Sequence, residues 1–563
     1  MSQDLAATLG TTSRRPTWSL LAPWALLALL WFGSLGWRAL ITPDEGRYAT
    51  IALEMLRTGD WLTPHLNGFL YFEKPALQYW ISAASLGILG VNEFAARFWP
   101  GVSGFLTILT VAATARRLWN EEAGIYAGAV AAGTAWIVAN SHFLTLDMGL
   151  TLFLTLALCG FLLAQREGIG PGQQRNAMWL CWAAMAGAML SKGLVGLVIP
   201  GATLVLYSLV QREFAFWRRM HWLSGLAIFL ALAAPWFIAV SLKNPGFFDF
   251  FFIREHFQRF LTDEAQRPGP LYYFVPILLA GLLPWTTLLP GMVKLGIRGE
   301  QGAAFQPLRL LLIWSGFVFV FFSVSHSKLP SYILPMFPAL ALVAARQLVL
   351  MDAPRLKRHL LLPALLWAVA MVAAPVAVRM HPRGVPVEIL APFAKAIAIA
   401  AVLFLLSAGL AWRLLGQDRK RAAILALAFG SVTAVTATML GHDAYGRQLK
   451  SSEAVVRQLA PYLRADTEVF AVRFYDQSLP FYLGRPVTLV DFRGEFAFGE
   501  DAQPSRWLPT LEDFAGRWRA QPRAAAMMSP ATYRELEQMQ LPMRVAYRDP
   551  DRLVVVKPEG AQP

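Results

Sequence analysis

The chain has little charge and almost no cysteine. Asp, Glu, Lys and Arg make up 15% of its 563 residues, against about 25% in an ordinary soluble domain. Apolar residues make up 56%, and the mean hydropathy is +0.45. A soluble protein of this length needs more surface charge, so a soluble enzyme and a disordered chain are excluded. The two cysteines, Cys159 and Cys181, lie inside apolar runs, which argues against a disulfide framework. There is no Gly-rich phosphate loop, no H-E-x-x-H and no Cys or His cluster at metal-ligand spacing. No internal repeat is found, which weighs against a transporter built from two halves.

Long apolar runs are what the chain has in place of charge. Fourteen stretches free of Asp, Glu, Lys and Arg run from 16–37 to 422–442, and a helix needs about 20 such residues to cross a bilayer. The first follows Arg14 and Arg15 and is too long for a signal-peptide core, so it is expected to be a retained anchor with the N-terminus inside. Parity then decides sidedness. After residue 98, one alternating set of loops carries 18 Lys and Arg and the other carries 9. The richer set belongs in the cytoplasm, and that holds only if 75–92 does not cross. Its Pro75, Gln78, Tyr79, Trp80, Ser82 and Ser85 suit an interfacial or re-entrant segment. The expectation is a polytopic α-helical membrane protein with about 13 transmembrane helices and the C-terminus outside. The net charge of +14 then belongs to cytoplasmic loops, or to sites facing anionic lipid and phosphate.

The predicted domains are a transmembrane catalytic domain, 1–442, and an outer α/β domain, 443–563. The first contains outer loops at 38–97 and 243–267. In the second, strands are expected at Glu468 to Phe474, Pro486 to Asp491, Ala524 to Met528 and Leu553 to Val556, with helices around 453–463, 511–520 and 529–539. With no catalytic motif of its own, this domain is given a supporting role in lid, packing or partner binding.

The first outer loop is the most informative. Thr42-Pro43-Asp44-Glu45-Gly46-Arg47-Tyr48 reads as a helix start, with Thr42 as N-cap and Glu45 closing a capping box. Tyr48, Ile51, Ala52 and Met55 then mark an amphipathic helix lying in the interface. Glu45 is thus either a cap or a functional acid. Asp44 is not needed for the box and projects from the helix start. Tyr71-Phe72-Glu73-Lys74-Pro75 ends the loop at headgroup depth, where Lys74 either forms a surface pair or neutralises a lipid phosphate. Asp147 interrupts two apolar runs, as a residue facing a cavity or partner would, or as a plain loop carboxylate. Lys192 and Lys328 are single charges on short outer turns, for which snorkelling is the bland alternative. Lys328 sits in a polar patch with Ser325, His326, Ser327 and Tyr332. In the second outer loop, Arg254 and Arg259 lie among Phe250, Phe251, Phe252, Phe257 and Phe260. Aromatics suit a polyprenyl chain and arginines its phosphate, although an ordinary basic interface helix has the same composition. Glu73 and His256 are partial ligands for a divalent metal, and no cofactor is required by the motifs present.

These residues carry a family resemblance. Pro43-Asp44-Glu45-Gly46-Arg47-Tyr48, Gly59-Asp60-Trp61, Tyr71-Phe72-Glu73-Lys74-Pro75, Phe94-Ala95-Ala96-Arg97 and Leu146-Asp147-Met148 resemble the bacterial aminoarabinose transferases. These are lipid A-modifying enzymes related to protein O-mannosyltransferases, with the GT-C membrane fold. The resemblance implies a bacterial inner-membrane enzyme with its active site and C-terminal domain in the periplasm. The donor would be undecaprenyl phosphate carrying 4-amino-4-deoxy-L-arabinose, and the acceptor a lipid A phosphate. Modified lipid A is less negative and binds polymyxin and other cationic peptides less well. Asp44 and Asp147 would be catalytic. Lys74 would bind the carrier phosphate, with Arg259, Arg254, Tyr71, Lys328 and Tyr332 assigned beside it. Glu45, Arg47, Tyr48 and Lys192 would position the sugar or the loop. Neither nucleic acid nor any particular oligomeric state is implied.

The rival readings are a GT-C transferase for another polyprenyl-linked sugar or a protein acceptor, a polyprenyl-linked sugar flippase, and an envelope scaffold. A flippase would gather ionisable residues near the bilayer midplane, whereas here they gather at the outer face.

Overall fold

Apolar helices of the length a bilayer demands account for most of the chain. The computed structural model describes residues 18–258, 269–300, 302, 305–380 and 385–558, and the side chains of all of these except 18–23 and 256–258. The helices up to residue 243 are α1 (Trp18–Gly33), α2 (Asp44–Thr58), α3 (Leu77–Leu89), α4 (Glu93–Leu118), α5 (Glu121–Gly133), α6 (Ala135–Ser141), α7 (Asp147–Ala164), α8 (Pro171–Lys192), α9 (Val195–Gln211) and α10 (Trp222–Lys243). Among the described residues, eight helices are long and apolar enough to cross a membrane: α4, α7, α10, Pro307–Val324, Pro330–Leu350, Ala353–Arg379, Val387–Gly416 and Lys420–Leu449. Two bent pairs, α5 with α6 and Phe274–Gly281 with Thr286–Arg298, bring the number to 10 if each is one span. The 13 spans expected from the sequence require α1, α8 and α9 as well, and these fall short of the same test. Helix α3 has 13 residues, about 20 Å at 1.5 Å per residue, too short for a hydrocarbon core of about 30 Å. On Ala353–Arg379, Leu361, Leu365, Val369, Val372 and Val376 are exposed, the outward apolar face that lipid would cover.

The C-terminal sheet contains β3 (Glu468–Val472), β4 (Thr488–Val490), β5 (Ala524–Met528), β6 (Arg544–Arg548) and β7 (Leu553–Val556), in the order β4-β3-β5-β7-β6. The earlier strands β1 (His65–Leu66) and β2 (Phe69–Leu70) form a small hairpin in the first loop. In the larger sheet, β3 runs parallel to β4 and β5, while β7 is antiparallel to β5 and β6. Strand β6, which the sequence reading omitted, has exposed Arg544 and Val545 at the sheet edge. The expected helices appear at Glu453–Leu459, Leu511–Ala520 and Pro530–Gln538. Alternation sorts each central strand between two cores. Val469, Ala471, Ala525, Met527, Val554 and Val556 join the large core continuous with the helical bundle. Phe470, Val472, Ala526, Met528 and Val555 instead pack with Phe514 and Trp518 of Leu511–Ala520. Burial on both faces explains why these strands are apolar throughout. The last bundle helix continues to Leu449 before the α/β unit begins.

Candidate active site

The site begins with α2, which is not the interfacial helix that its periodicity suggests. Every residue from Glu45 to Met55 is buried. Its polar side is covered by the C-terminal domain: the Thr50 hydroxyl donates to the Gln477 carbonyl at 3.0 Å. The helix can lie so close because position 46 is glycine. A Cβ there would fall 2.4 Å from the Ser478 nitrogen, closer than atoms can approach without a backbone shift.

The expected capping box is also absent. Pro43 takes the N-cap position with no side-chain cap bond, and the Thr42 hydroxyl instead donates to the Gln477 side-chain carbonyl. Glu45 accepts from the Ile41 amide at 3.2 Å, but its main partner is Arg97 of α4. The two form a bidentate pair at 2.6 and 2.8 Å, with Arg38 at 3.8 Å. Arg97 spends its remaining donors on the carbonyls of Leu35, Arg38 and Ala39. A wholly buried carboxylate needs such a cation, and a cap would not have satisfied it. Burial works to raise the Glu45 carboxyl, but Arg97, with Arg38 and the Leu144 amide, holds it below its ordinary value. The Leu144 amide donates to Glu45 at 3.1 Å. Glu45 thereby ties the start of α2, with Asp44, to the turn that leads into Asp147.

Asp44 is the first residue of α2, with a side chain 35% exposed. It accepts from Arg47 Nη1 at 2.8 Å. Arg47 also makes a two-point contact with Glu495 of the C-terminal domain, at 2.5 and 3.3 Å, and Gln477 donates to Glu495 at 2.7 Å. Tyr48, Tyr71 and Tyr79 line the same region and are buried. Burial, with Asp44 beside Tyr48 and Glu73 beside Tyr71, pushes both phenols well up, so they stay protonated. The Tyr79 hydroxyl is buried with no hydrogen-bond partner among the described residues. Lys74 donates to the Glu73 carbonyl at 2.7 Å and lies 3.5 Å from Glu255, which joins the first loop to the second.

A second group forms where α7 begins and α8 ends. Asp147 pairs with Lys192 and accepts from Ser331 at 2.8 Å. The Lys192 ammonium lies 4.6 Å from the centre of the Tyr332 ring, an attractive cation–π placement. Lys192 is therefore held by a carboxylate and an aromatic face rather than snorkelling. Lys328 is buried and donates to the Ser325 carbonyl at 2.6 Å.

The second loop enters a helical stretch of π type, Asp249–Gln258. Phe247 and Phe251 are buried against protein, with Phe72 and Trp236 around Phe247, so these rings pack the loop. Arg254 is exposed, its guanidinium 5.7 Å from the centre of the Phe250 ring. Arg259 and the His256 side chain lie outside the described residues. Among the described residues no group of three His, Cys, Asp or Glu is arranged to hold a metal.

Glu495 and Gln477 escaped the sequence reading. Neither lies in a motif, and each is over 400 positions from its α2 partner, Arg47 for Glu495 and Thr50 for Gln477. The Asp147–Lys192 pair carried a usable signal: antiparallel helices joined by a short loop place the start of one beside the end of the next.

Residues 455–557 match the family described as aminoarabinose transferase C-terminal domain, and residues 73–238 match dolichyl-phosphate-mannose-protein mannosyltransferase. A curated relative from Edwardsiella ictaluri, named undecaprenyl phosphate-alpha-4-amino-4-deoxy-L-arabinose arabinosyl transferase, is 36% identical over 334 residues. That alignment covers 58% of this chain and 59% of the relative, so the matched stretch spans less than two thirds of it. A relative of the same name, numbered 2, from Sodalis glossinidius is 32% identical over 489 residues, covering 84% of this chain and 86% of the relative. The crystal structure of ArnT from Cupriavidus metallidurans bound to undecaprenyl phosphate superposes with a TM-score of 0.92. It is 35% identical, and the match covers 98% of this chain and 100% of that one.

Proposed function

The chain belongs to the family of undecaprenyl phosphate-aminoarabinose arabinosyl transferases, membrane glycosyltransferases of the GT-C fold, and on that premise we propose that it moves 4-amino-4-deoxy-L-arabinose from undecaprenyl phosphate to a phosphate of lipid A. It is a multi-pass membrane protein. Our reading adds the inner membrane as its location, with the site and the C-terminal domain facing the periplasm. The observation that carries the reading is the correspondence, over nearly the whole chain, with a structure that holds undecaprenyl phosphate. The consequence is lower negative charge on lipid A and resistance to polymyxin.

The chemistry follows from what the substrates need. The nucleophile is a phosphate oxygen, already ionised at neutral pH, so a strong general base is not required. The difficulty lies in bringing two anions together and stabilising the departing carrier phosphate. Lys74, with Arg254 and Arg259 on the second loop, is assigned to that phosphate. The Lys74–Glu255 contact at 3.5 Å is loose enough for a phosphate to compete with it. Tyr71, Lys328 and Tyr332 are placed beside the carrier. Asp44 and Asp147 are the acids that face the sugar, where they pair with its ammonium or steady an oxocarbenium-like transition state. Each acid is held by a resident cation, Arg47 and Lys192 respectively. Glu45 and Tyr48 fix the loop. A metal at Glu73 and His256 is a further proposal, tested by adding and chelating divalent ions during turnover.

The step is a single displacement: the acceptor phosphate oxygen bonds to the anomeric carbon as the bond to the carrier phosphate breaks, with inversion. The test is purified protein with donor and lipid A, read by mass spectrometry and by the anomeric configuration of the product. A pentosamine-sized increment with inverted configuration is expected. Retained configuration, or a trapped glycosyl-enzyme, overturns the mechanism. Near-normal turnover by folded Asp44→Asn protein removes Asp44 from the catalytic set.

A further inference from the structure

A cleft between the far half of α2 and the C-terminal domain has no part in the chemistry above. It encloses about 270 Å³, and Glu54, Arg57, His65, Pro480, Arg485 and Arg506 are among its lining residues. Glu54 is 91% buried, as its 9% exposure records. Its Oε2 accepts from the Gly68 amide at 2.9 Å, while its Oε1 has no hydrogen-bond partner among the described residues. A buried carboxyl oxygen without a partner is costly, and this one belongs to a residue lining the cleft. Three arginines also line the cleft, and two of them, Arg506 and Arg57, act electrostatically on Glu54. Arg57 donates to the Gly484 carbonyl, and Arg485 to the carbonyls of Ala465 and Thr467. Arg506 lies over Gly68, whose added Cβ would meet its Nη2 at 2.9 Å. Among the described residues no carboxylate lies within ion-pair distance of these three. The cleft thus has surplus positive charge even with Glu54 ionised. Planar guanidinium forks match phosphate oxygens two at a time. The Pro480 ring and the arginine stems offer apolar surface to a sugar face.

We propose that this cleft binds a phosphate monoester on a sugar, and that its occupant is the second phosphate of the acceptor, the one not glycosylated. The identity of that occupant rests on the acceptor reading above. The single helix α2 connects the two places. Asp44 opens it and Glu54 follows ten residues on, about 15 Å along the axis at 1.5 Å per residue. A rigid helix would therefore set the spacing between the reacting phosphate and the anchored one, across a phosphorylated disaccharide. Burial pushes the Glu54 carboxyl up to about 7, against the opposing pull of the Gly68 and Asn67 amides and of Arg506 and Arg57. Near neutral pH it can therefore offer an O–H to a phosphate oxygen, as a neutral glutamine would offer N–H.

The experiment uses the full-length protein in detergent with two acceptors, lipid A bearing two phosphates and lipid A bearing one. Arg57→Ala with Arg506→Ala is expected to raise KM for the two-phosphate acceptor roughly 10- to 100-fold, and to leave kcat and KM for the one-phosphate acceptor unchanged. Both side chains are exposed, and each single variant should give part of the effect. Glu54→Gln is expected to keep binding and Glu54→Ala to weaken it. An equal KM change for both acceptors, or none for either, overturns the assignment. Inorganic phosphate is the independent probe, expected to raise the thermal midpoint of the wild type by more than that of the double variant, which keeps the Lys74 site; the excess is the cleft's own shift. If the wild type transfers no pentosamine, the acceptor reading fails, and this shift alone decides whether the cleft is a phosphate site for another lipid or for free phosphate. No excess shift in the wild type overturns the phosphate site itself.

Discussion

Glu45 and Arg97 form a two-point ion pair with no exposure to solvent, at 2.6 and 2.8 Å. It joins the helix that begins at Asp44 to the bundle, and through the Leu144 amide it reaches the turn before Asp147. Breaking one side leaves the other charge buried alone. Arg97→Met is expected to cost about 3–5 kcal/mol, read as a large fall in thermal midpoint in detergent. Arg97→Lys should recover only part of it, because a lysine cannot reproduce the fork or reach three carbonyls. A midpoint close to wild type in Arg97→Met would show that the pair does not hold the fold.

Gly46→Ala tests the seating of the C-terminal domain. The added methyl must displace the Gln477–Ser478 backbone, an overpacking expected to cost about 1–3 kcal/mol. Faster proteolysis near residue 450 and loss of transfer are expected together. Unchanged proteolysis with normal transfer would mean that the contact yields without consequence.

Asp147 and Lys192 are predicted to act as a unit. Asp147→Asn keeps the shape and the bond to Ser331 but removes the charge. If that charge stabilises the transition state, kcat falls about 100-fold or more, and adding Lys192→Met produces little further loss. Fully additive losses would separate the two roles.

Glu54 predicts a pH dependence of stability in the absence of phosphate. Its folded value of about 7 lies above the ordinary 4.5, so the folded state binds more protons than the unfolded between those values. Stability therefore falls as pH rises from about 4.5 to about 7, by on the order of 3 kcal/mol, and stays low above that. Burial also pushes Glu500 up to about 7, which adds in the same direction. The measurement is thus a difference: Glu54→Gln should flatten part of the profile and gain midpoint at about pH 8 relative to wild type. Identical profiles would remove Glu54 as the cause.

Asp44 and Asp147 stand out in one dimension because ionisable residues beside apolar runs are costly, and the family motif points to the same two positions; their catalytic role is our proposal. Of the two readings of Glu45, the cap fails: a Thr-Pro-x-Glu spacing mimics a cap, but the main partner, Arg97, is 52 positions away. The amphipathic period of α2 was correct as a period but did not reveal what would cover the polar face. Gln477, Ser478 and Glu495 come from a domain that begins after the last bundle helix, and no local pattern connects them to α2.

The sequence by itself determined that the chain is membrane-embedded, that polar chemistry gathers at the loop ends, and that a mixed α/β unit closes the chain. Those properties follow from apolar run length, charge bias and periodicity, all of which are local. Only the tertiary structure decided which charges are paired and which face of α2 is covered, and lined one cleft with three arginines and a buried acid. These depend on helix rotation and long-range packing, where a partner hundreds of residues away decides whether a carboxylate is a cap, an ion pair or part of a site.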